Sequence, residues 1–355
     1  KVNSVIKQEY LVLAKTLKTS QTNWDKMLKH GLEYFPFFKN LKYKYSIYGN
    51  RPISVKAKND DRTTKITKHE YPIDFYSVLE GKWVSAPLVA ERMIKLLNRK
   101  KNALIGHTGF IGSNLKKDFV FDDFYNSSNI ADIEDREYEM VLSCANSSVI
   151  WKVNKNPDED LRNINKFIEH IKTIKTKKFV LISTIDVFEN PVDVYEDSGF
   201  GNLDKHPYGK HRLMLEKFIQ EKFPNSLIIR LPVTYGMNFR KNVIYDALND
   251  KDLHKVDTSA SLQFYHVNNL MKDITLALIN NLKVLNIATE PIVVKDLYKE
   301  VFDLELDNKS SGNRRYDMKT RYASLFGKKK DYSYSKIEIL NELKQFKMEY
   351  EYKCI

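Results

Sequence analysis

From residue 103 onward, short apolar runs alternate with segments of helical length. The apolar runs cover residues 103–106, 119–125, 140–144, 179–183, 227–231 and 284–287. Helical patterns lie near 111–117, 158–174, 208–222 and 267–281. Strands that are apolar on both faces and alternate with helices predict an α/β fold, a Rossmann-like doubly wound parallel sheet. A sheet of this kind binds ligands at the carboxyl ends of its strands.

Length and composition restrict the class of protein further. The chain has 355 residues, of which 42% are hydrophobic and 29% charged. This length corresponds to about two domains, and the apolar share excludes a wholly disordered chain. No apolar run approaches the roughly 18 residues of a membrane-spanning helix. With only Cys144 and Cys354, a disulfide framework is not expected, and a reducing, cytoplasmic location is predicted.

The net charge of +12 is concentrated in the first hundred residues, which hold 16 Lys and 4 Arg against 9 acidic residues. We therefore predict a separate basic domain over 1–100 and a second domain over 101–355. Helical spacing at 3–18, 22–33 and 86–99, strand-like alternation at 42–48 and 52–57, and a polar loop at 59–68 predict an α+β N-terminal domain. A solvated basic face is the favoured interpretation of its charge. Binding of nucleic acid or another acidic partner is the alternative.

The strongest local motif follows the first apolar run. It has the spacing Gly-x-x-Gly-x-x-Gly between a strand and an amphipathic helix. Gly106 suits the tight turn, Gly109 lets the backbone approach a pyrophosphate, and Gly112 lets the helix pack close to the strand. The alternative is a purely structural turn, and His107 is assigned no role. The predicted diphosphate site consists of Gly106, Thr108, Gly109, Phe110, Ile111 and Gly112.

The residues after the second strand bear on the form of the dinucleotide. An acidic side chain about 20 positions after the first glycine usually holds the ribose hydroxyls of NAD. Here the zone over 125–129 contains neither a carboxylate nor an arginine. Asn126 and Ser127 are therefore the predicted neighbours of the ribose, and the choice between NAD and NADP stays open.

Further motifs follow in a fixed order along the chain. They are Asp132-Ile133, the strand end at 142–145, Asn163-Ile164, the Ser/Thr strand at 181–188, the stretch 230–236 and the signature at 264–268. With the glycine turn, they make the region 102–347 similar to the extended short-chain dehydrogenase/reductases, the NAD-dependent epimerase/dehydratase family. The resemblance implies an NAD or NADP cofactor. It also implies cofactor contacts at Asp132, Ile133, Ala145 and Pro232.

The same resemblance implies a catalytic group of Thr184, Tyr208 and Arg212. In the family, a tyrosine phenol exchanges a proton with the substrate oxygen while hydride moves to or from the nicotinamide. The family pattern is Tyr-x-x-x-Lys, whereas this chain carries Arg212 at the fourth position after the tyrosine. A guanidinium is expected to lower the pKa of Tyr208 and to hold the ribose hydroxyls, but it cannot relay a proton.

The resemblance implies an NAD(P)-dependent oxidoreductase or epimerase acting on a nucleotide-activated sugar. Family dehydratases carry an Asp-Glu pair after the threonine, and this chain has Ile185 and Asp186 there. Its pattern is closer to 4-keto-sugar reductases, such as dTDP-4-dehydrorhamnose reductase, or to epimerases. A homodimer is an expectation of the resemblance alone. The alternative is a catalytically inert NAD(P)-binding protein with a structural or sensing role.

Two segments, 237–266 and 305–334, are predicted to cover the substrate. Four cationic side chains within them are candidates to meet a substrate diphosphate: Arg240, Lys241, Arg314 and Arg315. No group of His, Cys, Asp and Glu has metal-ligand spacing, so no metal site is predicted.

Overall fold

The structure of the chain is a computed structural model. The structure describes residues 100–145, 149–309 and 314–354, and from the first hundred residues 24–34, 39, 42, 65–69, 75–79, 89–91 and 93. It divides into two compact units, Lys1–Asn98 and Arg99–Ile355. Within the described ranges, no helix is both long enough and apolar enough to cross a membrane.

The second unit is built on a six-stranded sheet in which every neighbouring pair of strands is parallel. Its spatial order is β4, β3, β5, β6, β8, β12. These strands are β3 (Asn102–Ile105), β4 (Asp123–Tyr125), β5 (Glu137–Ser143), β6 (Lys175–Thr184), β8 (Leu227–Leu231) and β12 (Val284–Asn286). This arrangement confirms the predicted Rossmann-like parallel sheet.

Helices cover both faces of the sheet because successive strand residues point to opposite sides. The helices are α2 (Phe110–Asp118), α3 (Ile150–Lys155), α4 (Pro157–Ile171), α5 (Pro207–Lys222) and α7 (Leu270–Ile279). Leu104 packs into a cluster with Leu115 and Ile274, which lie on helices α2 and α7. Its neighbour Ile105 packs on the other face, in a cluster with residues of α4 and α5.

The order of the strands fixes where a ligand crevice opens. From β3 the chain moves outward to β4, then crosses back to β5 on the other side of β3. The strand order therefore reverses between β3 and β5, and a crevice opens outside the carboxyl ends of these two strands.

The remaining elements of this unit build a second layer beyond the carboxyl ends of the strands. Their core contains Tyr235, Phe264, Tyr316 and Phe346, which are all buried. These elements are β7 (Val192–Val194), β9 (Val233–Tyr235), α6 (Val243–Leu248), β10 (Ser261–Leu262), β11 (Phe264–His266), β13 (Ile292–Val293), α8 (Val294–Leu297), β14 (Asp317–Met318) and α9 (Lys336–Cys354). Strand β9 pairs with β11, β10 with β13, and β7 with β14.

Two elements differ from the sequence prediction. The run at 119–125 forms a strand only over Asp123–Tyr125, because Phe119 caps helix α2 and the chain turns before β4 begins. In the first unit, 65–68 was predicted as loop but lies in β1 (Lys65–His69), which pairs with β2 (Phe75–Leu79). Helix α1 (Trp24–Tyr34) overlaps the predicted helix at 22–33. The elements predicted at 3–18, 42–48 and 52–57 lie outside the described residues, apart from residue 42, which is in neither helix nor strand.

Candidate functional site

The glycine turn joins β3 to α2 at the predicted crevice. Gly106 adopts a φ of +84°, a conformation that side chains rarely allow. A Cβ at this position would lie 2.8 Å from the backbone carbonyl of Cys144. At Gly112 a Cβ would lie 2.3 Å from the Gly106 oxygen. Both glycines are therefore required by the packing of the turn against β5 and against its own helix.

Gly109 is different, because none of the described residues lies close enough to require a glycine there. A Cβ would make only an ordinary contact, 3.4 Å from the Gly106 oxygen. Gly109 is also the N-cap of α2, and no side chain caps this helix. The first-turn N–H groups therefore have no intrahelical partner. An open glycine beside such donors fits the approach of a diphosphate.

The predicted cofactor contacts differ in their burial and in their place in the fold. Ala145 is exposed and follows β5 beside Gly106, whereas Pro232 is buried after β8. Asp132 is exposed, but Ile133 is fully buried in the core with Ile105 and is not accessible to a ligand in this conformation. The structure thus brings Ala145 and Asp132 to the surface and leaves Ile133 inside the fold.

The loop after β4 is held by a network of its own side chains. The Asn126 side-chain oxygen accepts hydrogen bonds from the backbone and the hydroxyl of Ser128, at 2.8 and 2.6 Å. The Asn129 oxygen accepts from the Asn126 backbone N–H at 2.8 Å. Ser127 is exposed. These predicted ribose neighbours adjoin the glycine turn, because the Gly106 N–H donates to the Tyr125 oxygen at 2.7 Å.

Tyr208 and Thr184 meet at the carboxyl end of β6. Tyr208 lies in the first turn of α5 and is buried, with 6% of its surface exposed. Gly209 permits this placement, since a Cβ there would lie 2.0 Å from the Asp186 oxygen. Thr184 is the last residue of β6 and is one of the hydrogen-bonding groups around the Tyr208 phenol.

Arg212 lies one helical turn after Tyr208, as its spacing predicts. Its guanidinium carbon is 4.5 Å from the centre of the Tyr208 ring. The same guanidinium donates two hydrogen bonds to Asp160 on α4, at 2.8 and 3.1 Å. His211 also contacts Asp160, at 2.8 Å. Arg212 is 2% exposed, so its charge is held inside the protein by a carboxylate.

The pKa of Tyr208 is raised to about 12, mainly because burial disfavours the phenolate. The Arg212 charge opposes this rise, the Asp186 charge adds to it, and hydrogen bonding with Thr184 and Arg212 lowers it. Arg212 thus lowers the pKa of Tyr208, as its charge predicts, but by less than burial raises it. At neutral pH the phenol carries its proton, so Tyr208 is suited to donate one.

Two further residues join this group: Asp186, which the sequence places two positions after Thr184, and Tyr316, which sequence reasoning did not single out. The Thr184 hydroxyl donates to one oxygen of Asp186 at 3.0 Å, and the Tyr316 hydroxyl donates to the other at 2.7 Å. Tyr316 comes from the predicted covering segment 305–334, and Arg314 stacks on its ring at 5.7 Å. The position of Asp186 next to the Thr184 motif is a local sequence signal for its place in the site, whereas no local signal marks Tyr316.

The other cationic side chains that were predicted to meet a substrate diphosphate lie in less buried surroundings. Arg240 and Arg315 are exposed, and Lys241 forms an ion pair with Asp252 at 3.2 Å. Across the described part of the chain, no group of His, Cys, Asp and Glu is arranged to hold a metal ion.

Comparison with solved structures supports the fold. No family model and no curated protein matches the sequence. Among solved structures, UDP-glucose 4-epimerase from Thermotoga maritima with UDP-glucose matches at a TM-score of 0.56 and 18% identity. The match covers 72% of this chain and 100% of that one.

Two more solved structures show the same likeness. UDP-N-acetylglucosamine 4-epimerase from Methanobrevibacter ruminantium, in complex with UDP-N-acetylmuramic acid, has a TM-score of 0.56 at 15% identity over 72% of this chain and 99% of that one. The dTDP-4-dehydrorhamnose reductase from Bacillus anthracis, in complex with NADP, has a TM-score of 0.54 at 17% identity over 71% and 98%. The chain therefore has the fold of the extended short-chain dehydrogenase/reductases.

Proposed function

We propose that this protein is an NAD(P)-dependent oxidoreductase or epimerase that acts on a nucleotide-activated sugar, with Tyr208 as the group that exchanges a proton with the substrate oxygen. The solved structures of the same fold include nucleotide-sugar epimerases and a 4-keto-sugar reductase, which supports the substrate class.

The observation that carries the proposal is the placement of the Tyr208 phenol. It lies beside Thr184 at the carboxyl end of β6, and the open glycine turn follows β3, which is separated from β6 by β5 in the same sheet. A proton donor and an anion-binding turn at the same edge of one sheet are the two parts that a dinucleotide-dependent oxidoreductase needs.

The glycine turn and the start of α2 fit a dinucleotide diphosphate, with Ala145 and Asn126 beside it. A nicotinamide dinucleotide bound there supplies or accepts the hydride. The chain's own residues handle the proton. Tyr208 holds it at the phenol oxygen, and Thr184 orients that oxygen by hydrogen bonding.

The protonated state of Tyr208 suits proton donation. A phenol whose pKa is raised to about 12 is a poor base at neutral pH but retains a transferable proton. Reduction of a keto-sugar needs this proton at the new hydroxyl as hydride arrives, and the reductive half of an epimerisation needs it in the same place.

The variant Tyr208→Phe tests this proposal. Turnover of nucleotide-linked 4-keto-sugars is expected to fall by about 10²–10⁴-fold, the usual contribution of general acid catalysis. Affinity for the dinucleotide, measured by calorimetry, should stay unchanged. The control Tyr352→Phe alters an exposed tyrosine on α9 and should turn over normally. Undiminished turnover in Tyr208→Phe would remove the proposed proton donor.

A second candidate function is an inert NAD(P)-binding protein with a structural or sensing role. One observation favours it, namely that the Arg212 guanidinium is bound to Asp160 where the family pattern has a lysine. Incubation with deuterated NAD(P)H and a panel of nucleotide-linked keto-sugars separates the two. Deuterium in any sugar product excludes the inert protein, and none across the panel supports it.

A further inference from the structure

The two carboxylates nearest the end of β4 are both engaged at the start of that strand. The Asp123 carboxylate accepts hydrogen bonds from Lys101 and from the Tyr138 hydroxyl, each at 3.1 Å. The Asp122 carboxylate accepts from the Asn102 backbone N–H at 2.8 Å. Neither carboxylate is therefore directed to the glycine turn, where the ribose hydroxyls of NAD would need one.

Asn126 stands 20 positions after Gly106, where an acidic residue marks a preference for NAD. Its side-chain oxygen is occupied by the two groups of Ser128. Its amide nitrogen lies 3.4 Å from Nε2 of His107, in the glycine turn. The fixed oxygen orients the amide so that it offers N–H donors on the side of the glycine turn.

A cation lies beside the same turn. Nζ of Lys116, on α2, lies 5.5 Å from the centre of the Phe124 ring, and the His107 ring packs on Phe124 at 5.5 Å. Burial and the nearby Lys116 charge lower the pKa of His107, so the imidazole is neutral at physiological pH. Lys116 is exposed on α2, and Ser127 is exposed in the loop after β4.

We propose that this corner of the site selects NADP over NAD, with the 2′-phosphate received by the Asn126 amide, the Ser127 hydroxyl and the Lys116 ammonium. The inference rests on the proposed function and specifies its cofactor. A phosphate carries nearly two negative charges, so donors and a cation favour it where a carboxylate would repel it.

Binding titrations on the full chain test the inference without a sugar substrate. NADPH and NADH are titrated separately and followed by nicotinamide fluorescence and by calorimetry. NADPH is expected to bind at least about tenfold more tightly, which is the contribution of one charge-assisted hydrogen bond.

Two variants with a matched control locate the selectivity. Asn126→Asp keeps the side-chain oxygen that accepts hydrogen bonds from Ser128 but adds a negative charge. The affinity for NADPH should therefore fall at least about tenfold, while the affinity for NADH should not fall. Lys116→Ala should lower the affinity for NADPH by about tenfold and leave the affinity for NADH unchanged. Lys117→Ala removes the neighbouring exposed lysine of α2 and should change neither affinity. Thermal melts establish that each variant is folded.

The outcomes separate this inference from the function on which it rests. The selectivity would be overturned if NADH bound as tightly as NADPH or more tightly. It would also be overturned if Lys116→Ala weakened the binding of both nucleotides equally. Either result would leave the proposed function standing. Failure of the wild-type chain to bind either nucleotide would overturn the proposed function itself.

Discussion

Arg212 contacts the Tyr208 ring and the Asp160 carboxylate at the same time, so its charge acts on both groups. Sequence spacing predicts the contact with Tyr208, because positions four apart share one face of a helix. It gives no sign of the partner on α4. Asp160 follows Asp158 and Glu159 in the first turn of that helix, where acidic residues are ordinary complements to the helix dipole. Only the packing of α4 against α5 distinguishes the third of them.

The first residue-scale prediction concerns this buried ion pair. Asp160→Asn should lower the free energy of unfolding by about 3–5 kcal/mol, since it leaves the Arg212 charge buried without a counter-charge. Denaturant titration at pH 7 measures the loss. As a control, Asp204→Asn breaks the exposed ion pair between Asp204 and Lys210 near the start of α5. It should have no measurable effect on the free energy of unfolding. Equal stability of Asp160→Asn and wild type would mean that this pair does not hold the two helices together.

Asp273 gives a prediction about pH. It is fully buried, and burial raises its pKa to about 6, although Tyr265 and Tyr334 donate hydrogen bonds to it. The folded state therefore keeps the proton that the unfolded chain releases near pH 3.8. Its contribution to stability is complete below pH 3.8 and is lost as the pH rises to about 6.

The variant Asp273→Asn isolates this titration from those of other groups. Relative to the variant, wild type should lose on the order of 1–2 kcal/mol of unfolding free energy between pH 5 and pH 7.5. Urea titrations of both proteins at the two pH values measure the difference. Parallel pH profiles would show that Asp273 does not retain its proton in the fold.

At the scale of elements, the unit of β3, glycine turn and α2 was predicted with near-correct bounds. Its determinants all lie within about a dozen residues, namely an apolar strand, three spaced glycines and an amphipathic helix. Strand β4 was predicted too long, because apolar character at 119–121 serves core packing around a turn rather than pairing in a sheet. Phe121 is buried among aromatic rings without being in a strand. Periodicity alone does not separate these two uses of apolar residues.

The glycine turn gives a paired prediction. Gly109→Ala should leave stability unchanged within about 1 kcal/mol, because its φ of −76° and its surroundings accept a Cβ. It should nevertheless weaken dinucleotide binding at least about tenfold, because the methyl group occupies the path of the diphosphate. Gly112→Ala should instead destabilise the fold by about 1–3 kcal/mol, since its Cβ would overlap the Gly106 oxygen.

Denaturant titration and calorimetry with NADPH measure the two effects separately. Retained affinity in Gly109→Ala would show that the turn does not approach a diphosphate closely.

At the scale of the whole molecule, the candidate site draws on residues too far apart in sequence for any local pattern to connect. Thr184, Tyr208 and the glycine turn were found because each carries its own motif. Tyr316 reaches Asp186 from 130 positions away, in a segment without a motif. Its position depends on β14 pairing with β7, and on Gln263, whose side chain bonds both backbone groups of Met318 at 2.8 Å. Such long-range pairing follows from the completed fold.

The division of the chain gives the last prediction. Every residue assigned to the dinucleotide and to the proton donor lies in Arg99–Ile355. A fragment of residues 99–355 should therefore bind NADPH within about threefold of the full chain, a difference under 1 kcal/mol. Calorimetry on both proteins measures it. A loss of binding in a fragment that melts cooperatively would show that Lys1–Asn98 takes part in the site.

Because Asp160 and Arg212 form an ion pair, a substitution at one of these positions affects which residues the other position tolerates. A lysine at 212 would have one ammonium in place of a planar fork, and could not repeat the two-point contact with the carboxylate. Arg212→Lys would keep a charge for Asp160 but lose this geometry, so substitutions at 160 and 212 should be strongly epistatic. Homologues of this chain should show the two positions changing as a pair.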